Sequence, residues 1–176
     1  ENGCLERLWP HRVKDGAYEV VGEDSLAAGR LVTENWQRMA DWPGLTNQNI
    51  VACYAENRLS GKGYIYAFDT RNLYRYDILE NRWENLRTNP GSTTAAGAAM
   101  IWTGGDNIYM SRGGSGSPNF WRYSISENRW TALSDIPTTQ LAGSSLAWGG
   151  GDNIYGVFNG SDNGLYVYSI SSNTWT

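Results

Sequence analysis

One pattern recurs along the chain with a period of about 46 residues, and a repeat of that length limits the fold to architectures of stacked or radially arranged units. Three segments of equal length end in tryptophan and align without gaps: Asn72–Trp83, Asn119–Trp130 and Gly164–Trp175. The tryptophans Trp83 and Trp130 are 47 residues apart, and Trp175 follows 45 residues later. Trp36 lies 47 residues before Trp83, which suggests the end of an earlier unit.

Two further landmarks share this period. The sequence Gly-Gly-Asp-Asn-Ile-Tyr occurs at 104–109 and again at 150–155, with a weaker copy at 61–66. Runs of small residues that end in an aromatic residue precede the two strong copies, at 95–102 and 142–148. Three landmarks with one period establish an internal repeat.

Each unit is predicted to form four short β-strands joined by hairpins. The first strand is rich in Ala, Gly and Ser, and the second begins at Asn-Ile-Tyr. The third strand alternates: Leu165, Val167 and Ser169 share one face, which is the period of a strand. A polar turn follows, and the fourth strand begins at the tryptophan. Each unit is therefore expected to be an antiparallel meander.

These landmarks resemble the kelch repeat, in which a glycine pair precedes an aromatic residue and then a tryptophan after a short polar turn. The second unit matches with Gly113-Gly114, Tyr123 and Trp130. The third has Asn159-Gly160, Tyr168 and Trp175, and the first has Asp69-Thr70 before Tyr76 and Trp83. The resemblance implies an all-β, kelch-type β-propeller with about three complete four-stranded blades plus part of another. The repeat sequences look most like those of microbial secreted or cell-surface kelch proteins. This resemblance implies an extracellular or cell-surface location.

The resemblance covers residues 36–176, and residues 1–35 are expected to form an irregular segment or a shortened blade. Propellers close with about 4–8 blades, so three blades leave two aromatic-rich faces open. We expect the chain to be part of a longer propeller, to associate with copies of itself or another protein, or to close through residues 1–35. The absence of a leading Met at Glu1 is compatible with a processed or trimmed protein.

Charge and hydropathy argue against two classes of partner. The formal net charge is −4, and no basic stripe is visible, whereas a duplex-binding protein usually shows one. We therefore expect no nucleic-acid partner. No apolar run approaches the roughly 18 residues of a membrane span, so none is expected.

The residues that usually perform catalysis or bind metals are scarce. His11 is the one histidine, and Cys4 and Cys53 are the two cysteines. We therefore expect no metal and no cofactor. Cys4 and Cys53 could form a disulfide in an oxidising compartment, or they could be two free thiols. The carboxylates Asp106 and Asp152 are repeat-equivalent, which favours a turn role over catalysis.

The divergent loops of the repeat are the expected binding surface, because loops on a rigid scaffold commonly bind ligands. They are 87–93, 112–119, 134–140 and 159–163. Arg112, Asn159 and Asp162 are the candidate binding residues, and the alternative is that they are solvated turn residues. The favoured function is a non-enzymatic binding or assembly module that contacts protein or glycan. The alternatives are part of a kelch-type sugar-processing enzyme, or a structural subunit of a surface assembly.

Overall fold

The computed structural model describes residues 11–14, 17–20, 38–45, 49–57, 60–114, 117–139, 143–159 and 164–176. The chain divides into two compact units, Glu1–Arg38 and Met39–Thr176. In the first unit, β1 (His11–Lys14) pairs antiparallel with β2 (Ala17–Val20), with His11 opposite Val20. Both strands lie within residues 1–35, which were expected to form an irregular segment or a shortened blade. Trp36 lies outside the described residues.

The second unit contains three antiparallel sheets of four strands each, in which every strand pairs with its neighbour in sequence. Sheet 1 consists of β3 (Val51–Asn57), β4 (Lys62–Phe68), β5 (Leu73–Asp77) and β6 (Arg82–Asn85). Sheet 2 consists of β7 (Ala99–Trp102), β8 (Asn107–Ser111), β9 (Phe120–Ser124) and β10 (Arg129–Ala132). Sheet 3 consists of β11 (Ser145–Trp148), β12 (Asn153–Val157), β13 (Leu165–Ser169) and β14 (Thr174–Trp175). The predicted all-β class and four-stranded meanders are confirmed, and the described residues contain no helix.

Two apolar cores hold the sheets together, one on each side of sheet 2. Tyr66 and Phe68 of sheet 1 pack against Tyr123 and Trp130 of sheet 2, with ring centroids 6.1 and 5.8 Å apart. On the other side, Phe120 of sheet 2 contacts both Tyr168 and Trp175 of sheet 3, at 4.9 and 5.0 Å. Side chains alternate between the two faces of a sheet along each strand. We call the face toward the sheet that comes earlier in the chain the preceding face. The face toward the sheet that comes later is the following face.

A recurring set of Tyr, Asn and Trp forms the turn between the third and fourth strands of each sheet. The asparagines Asn81, Asn128 and Asn173 adopt left-handed backbone conformations, with φ of 48°, 50° and 53°. Each accepts a hydrogen bond at its Oδ1 from the hydroxyl of a tyrosine in the third strand, at 2.7, 2.9 and 2.8 Å. Asparagine is favoured here because its short polar side chain tolerates this conformation and bonds locally.

The same asparagines join each sheet to the segment that precedes it. Asn81 accepts from the backbone N–H of Ala40 at 2.7 Å, and Asn173 accepts from that of Ser134 at 2.9 Å. Asn128 donates to the carbonyl of Leu86 at 3.2 Å. Residues 39–45 therefore occupy beside sheet 1 the place that the β6–β7 and β10–β11 connections occupy beside sheets 2 and 3.

Candidate functional site

The hairpins of each sheet end on two opposite sides. We call the side with the β4–β5, β6–β7, β8–β9, β10–β11 and β12–β13 connections the loop side, and the other the turn side. The predicted binding loops lie on the loop side, because antiparallel strands alternate in direction. The groove described below lies on the turn side.

Arg112, the first predicted binding residue, fastens two loops of the loop side together. Its Nε donates to the carbonyl of Thr93 at 2.9 Å, and its own carbonyl accepts from the N–H of Ala95 at 3.0 Å. The guanidinium is therefore engaged along one edge by the β6–β7 connection. This contact is structural, and a ligand role for Arg112 stays a prediction.

The other two predicted binding residues follow β12 of sheet 3 in the sequence. Asn159 is exposed just after β12, and its amide lies near Gly143 of the β10–β11 connection. Asp162 lies outside the described residues. Roles for both in binding stay predictions.

The glycine pair has a packing role on the loop side. Gly113 and Gly114 have φ of 70° and 75°, and the N–H of Gly114 donates to the carbonyl of Ala96 at 2.8 Å. A Cβ on Gly113 would overlap backbone atoms of Gly97 and Ala98. The pair is therefore required where the β8–β9 loop meets the preceding connection.

In the first sheet a buried aspartate stands at the glycine-pair position. Asp69 is fully buried, and its Oδ1 accepts from the N–H groups of Arg71 and Asn72 at 2.6 and 2.7 Å. Its Oδ2 accepts from the N–H of Leu45 at 3.3 Å. In sheet 1, hydrogen bonds to this carboxylate thus take the place of the close backbone contacts that the glycine pair makes in sheet 2. A buried carboxylate needs such hydrogen-bond partners.

A groove of about 380 Å³ opens on the turn side between sheets 1 and 2, and the sequence analysis did not identify it. We call it the first groove. Its lining is mainly polar, with one aliphatic side chain: Glu56, Asn57, Arg75, Gly105, Asp106, Ile125 and Ser126. Arginine recurs at the repeat-equivalent positions Arg75 and Arg122, and this recurrence was the available sequence signal for the site.

Arg75 is the central side chain of the first groove and is held on three sides. Its Nη2 donates to Glu84 Oε2 at 2.6 Å across the β5–β6 pair, and its Cζ lies 4.9 Å from the centroid of the Tyr64 ring. Burial raises the pKa of Tyr66, and a hydrogen bond from Arg75 and its positive charge oppose that rise. Arg75 is therefore neutralised within its own sheet.

The repeat-equivalent aspartates Asp106 and Asp152 each connect two turns of one sheet, which agrees with their predicted turn role. Asp106 Oδ1 accepts from the N–H of Ser126 at 2.8 Å, and its Oδ2 accepts from Ser124 Oγ at 2.6 Å. Asp152 makes the same bonds to Ser171 and Ser169, at 2.7 and 2.6 Å. The hydrogen bonds to Asp152 lower its pKa, and the bond from Ser169 has the largest effect. The backbone N–H groups that donate to Asp106 and Asp152 belong to the neighbouring turn of the same sheet.

Cys53 is half-buried on the following face of β3. Burial raises its pKa to about 12, so the thiolate that reacts with disulfides and electrophiles is disfavoured. Cys4 lies outside the described residues, and a disulfide between Cys4 and Cys53 stays a prediction.

The described residues contain neither a metal-binding cluster nor a membrane-spanning helix. They contain no group of three or more His, Cys, Asp or Glu side chains placed to hold a metal ion. They also contain no helix with the length and apolarity needed to cross a membrane.

No protein-family model matches the chain, and no curated protein matches it. Membership of the kelch family therefore stays a prediction.

Proposed function

We propose that the chain is a non-enzymatic assembly module of the kelch-type β-propeller kind, in which the three sheets are blades and a second copy of the chain continues the ring. The supporting observation is the exposed following face of sheet 3. Leu165 and Val157 on this face are 64% and 50% exposed. Their repeat equivalents on sheet 1, Leu73 and Phe68, are both 0% exposed.

The equivalence follows from the strand registers. Val51, Phe68 and Leu73 are aligned across sheet 1, as Ala99, Ser111 and Phe120 are across sheet 2, and as Ser145, Val157 and Leu165 are across sheet 3. The first two rows are buried beneath the next sheet. Tyr155 and Val167 extend the third row's apolar surface and are half-buried. A contiguous apolar patch of this kind marks an interaction surface.

A second copy offers a complementary surface, the preceding face of sheet 1. In the two interfaces within the chain, the preceding face presents a Tyr and a Trp to the sheet before it. Sheet 1 has the same row, Tyr54, Ile65, Tyr76 and Trp83. Residues 39–45 cover its outer strands, where Trp42 lies 4.9 Å from Trp83, while Tyr54 on the inner strand is half exposed.

This surface pairing joins unlike faces, so it produces a ring or a filament of copies. The β6–β7 and β10–β11 connections share the outer part of each internal interface with a neighbouring sheet. Residues 39–45 therefore leave room for a sheet over β3 and β4 in the same way. The extracellular location, and a protein or glycan ligand on the loop side, remain predictions from the kelch resemblance.

Sedimentation velocity over a range of concentrations tests the proposal. We expect species at multiples of 19.6 kDa, and we expect the double variant V157K/L165K to sediment as a monomer. The matched control is A132K, because Ala132 is an exposed apolar residue on β10 of sheet 2, and sheet 2 takes no part in the proposed interface. A wild-type chain that stays monomeric at all concentrations, or a double variant that assembles like wild type, would overturn the proposal.

A further inference from the structure

Glu56 is the charged side chain of the first groove that has no partner in the described part of the chain. It is half-buried in the groove lining. Its carboxylate forms no ion pair and no hydrogen bond with the described residues. A half-buried carboxylate of this kind has lost part of its hydration without a compensating bond. Both of its oxygen atoms can therefore accept hydrogen bonds from a ligand.

The position of Glu56 follows from the contact between the inner strands of sheets 1 and 2. Glu56 shares a face of β3 with Tyr54, and the Tyr54 ring packs edge-on against Trp102, with centroids 6.1 Å apart. Trp102 Nε1 donates to the carbonyl of Gly105 at 2.8 Å, which fixes the turn between β7 and β8. Opposite Glu56 on β4 stands Gly63, which has no side chain to cover the carboxylate. Glu56 and Gly105 therefore line the same groove.

The wall that sheet 2 contributes to the first groove is held in place by Asp106. Its carboxylate accepts from the N–H and the hydroxyl of Ser126 at 2.8 and 3.0 Å, and from Ser124 Oγ at 2.6 Å. Its backbone carbonyl accepts from the N–H of Ile125 at 2.8 Å. A carboxylate has about four acceptor positions, so Asp106 has one left for a ligand. Because these bonds fix the wall in advance, ligand binding costs less entropy.

The first groove carries a negative charge. Arg75 and Glu84 form an ion pair at 2.6 Å and neutralise each other. The other two charged side chains of the described lining, Glu56 and Asp106, are both acidic. One guanidinium and three carboxylates together give a formal charge of −2. The half-buried Ile125 adds an aliphatic surface, and the described lining contains no aromatic ring on which a sugar could stack.

We infer that the first groove binds the basic side chain of a partner peptide, with its cationic group on Glu56 and its aliphatic stem against Ile125. The volume of about 380 Å³ is enough for one long side chain. Asn57, Asp106 and Ser126 are exposed, so the groove covers the tip of an occupant and leaves the rest in solvent. A side chain on a longer peptide fits this arrangement better than a small molecule, because small-molecule pockets bury most of their ligand.

An NMR titration of the ¹⁵N-labelled chain tests the inference. The probe is a five-residue peptide, blocked at both ends, with one central lysine between glycines, and its uncharged match has norleucine in place of lysine. We expect the lysine peptide to shift the amide signals of Glu56, Gly105 and Ser126 saturably, with a Kd of roughly 1 mM. The norleucine peptide should bind at least about tenfold more weakly, because it cannot form the charge-assisted bond.

Three variants locate the binding energy. E56Q keeps the shape of the side chain but removes its charge, so it should weaken binding of the lysine peptide about tenfold. E56K should abolish binding, because its own ammonium group repels the ligand. The matched control is D135N, which removes one negative charge from an exposed position in the β10–β11 connection, outside the groove lining, and should bind like wild type.

The groove lies within one chain, so V157K/L165K should also bind the lysine peptide like wild type, and the inference can fail separately from the assembly proposal. Unchanged signals outside the groove show that each variant is folded. Four results would overturn the inference: no saturable shifts in wild type, equal binding of the norleucine peptide, undiminished binding by E56Q, or shifts confined to residues outside the groove. Binding of 1,5-diaminopentane at least about tenfold more tightly than the peptide would also overturn it, because the groove would then be a site for free amines.

Discussion

At the scale of single residues, the three tryptophans of the repeat have different hydrogen bonding. Trp83 donates to the carbonyl of Ala40 and Trp175 to that of Ser134, at 3.2 and 3.3 Å. Trp130 Nε1 is buried without a partner. The residue equivalent to Ala40 and Ser134 is Arg87, whose φ is 53°. That left-handed conformation changes the direction of the backbone, so the same tryptophan loses its acceptor.

We therefore expect Trp130→Phe to be tolerated better than Trp83→Phe or Trp175→Phe. All three variants lose similar ring surface, but W130F removes an unsatisfied donor while W83F and W175F each remove a hydrogen bond. The difference in unfolding free energy should be about 1 kcal/mol or more in favour of W130F. Urea denaturation of the three variants measures it, and equal destabilisation would contradict the explanation.

Asp152 makes stability dependent on pH through the hydrogen bonds that lower its pKa. The folded-state pKa lies below the ordinary value of 3.8, so its stabilising contribution is complete above that value. The contribution is lost as the pH falls from 3.8 through the lowered pKa. D152N should therefore be less stable than wild type at pH 7, and the gap should narrow below pH 3.8. Urea midpoints of both proteins across this range test it; a constant gap would exclude the linkage.

At the scale of elements, the meanders were predictable because each strand has a local signal. Alternation in 165–169 and the recurring Asn-Ile-Tyr mark strands irrespective of their neighbours. The first groove was not predictable in this way. The difference between Arg75 and Arg122 depends on which residue is opposite each arginine, and this requires the register of β5–β6 and β9–β10. The burial of Asp69 likewise depends on Leu45, 24 residues away.

The glycine pair is the element-scale feature with the most direct test. Gly113→Ala places a methyl group in the backbone of Gly97 and Ala98 at a left-handed φ, so the β8–β9 loop and the β6–β7 connection must separate. Gly91→Ala is the matched control, because Gly91 has φ of 85° and open space around its Cβ position. G91A should cost about 1–2 kcal/mol for conformation alone, and G113A clearly more. Similar thermal midpoints for the two variants would contradict the packing role.

At the scale of the second unit, sheet 2 is covered on both faces while sheet 3 is covered on one. Ile108, Tyr109 and Met110 of β8 are all buried, although they point alternately to the two faces. On β13, Tyr168 is buried and Leu165 is exposed. Repeat arrays gain stability from nearest-neighbour interfaces, so a sheet between two neighbours should open less often than a sheet with one.

Hydrogen exchange should therefore be slowest in β8 and β9 and faster in β12 and β13, since local opening of sheet 3 breaks one interface and opening of sheet 2 breaks two. Mass spectrometry on peptides covering 107–124 and 153–169 measures this order. Under conditions where copies associate, exchange in β12 and β13 should slow, whereas in V157K/L165K it should keep its monomer rate. Equal protection of both peptides in the monomer would show that the two internal interfaces do not act as separate stabilising units.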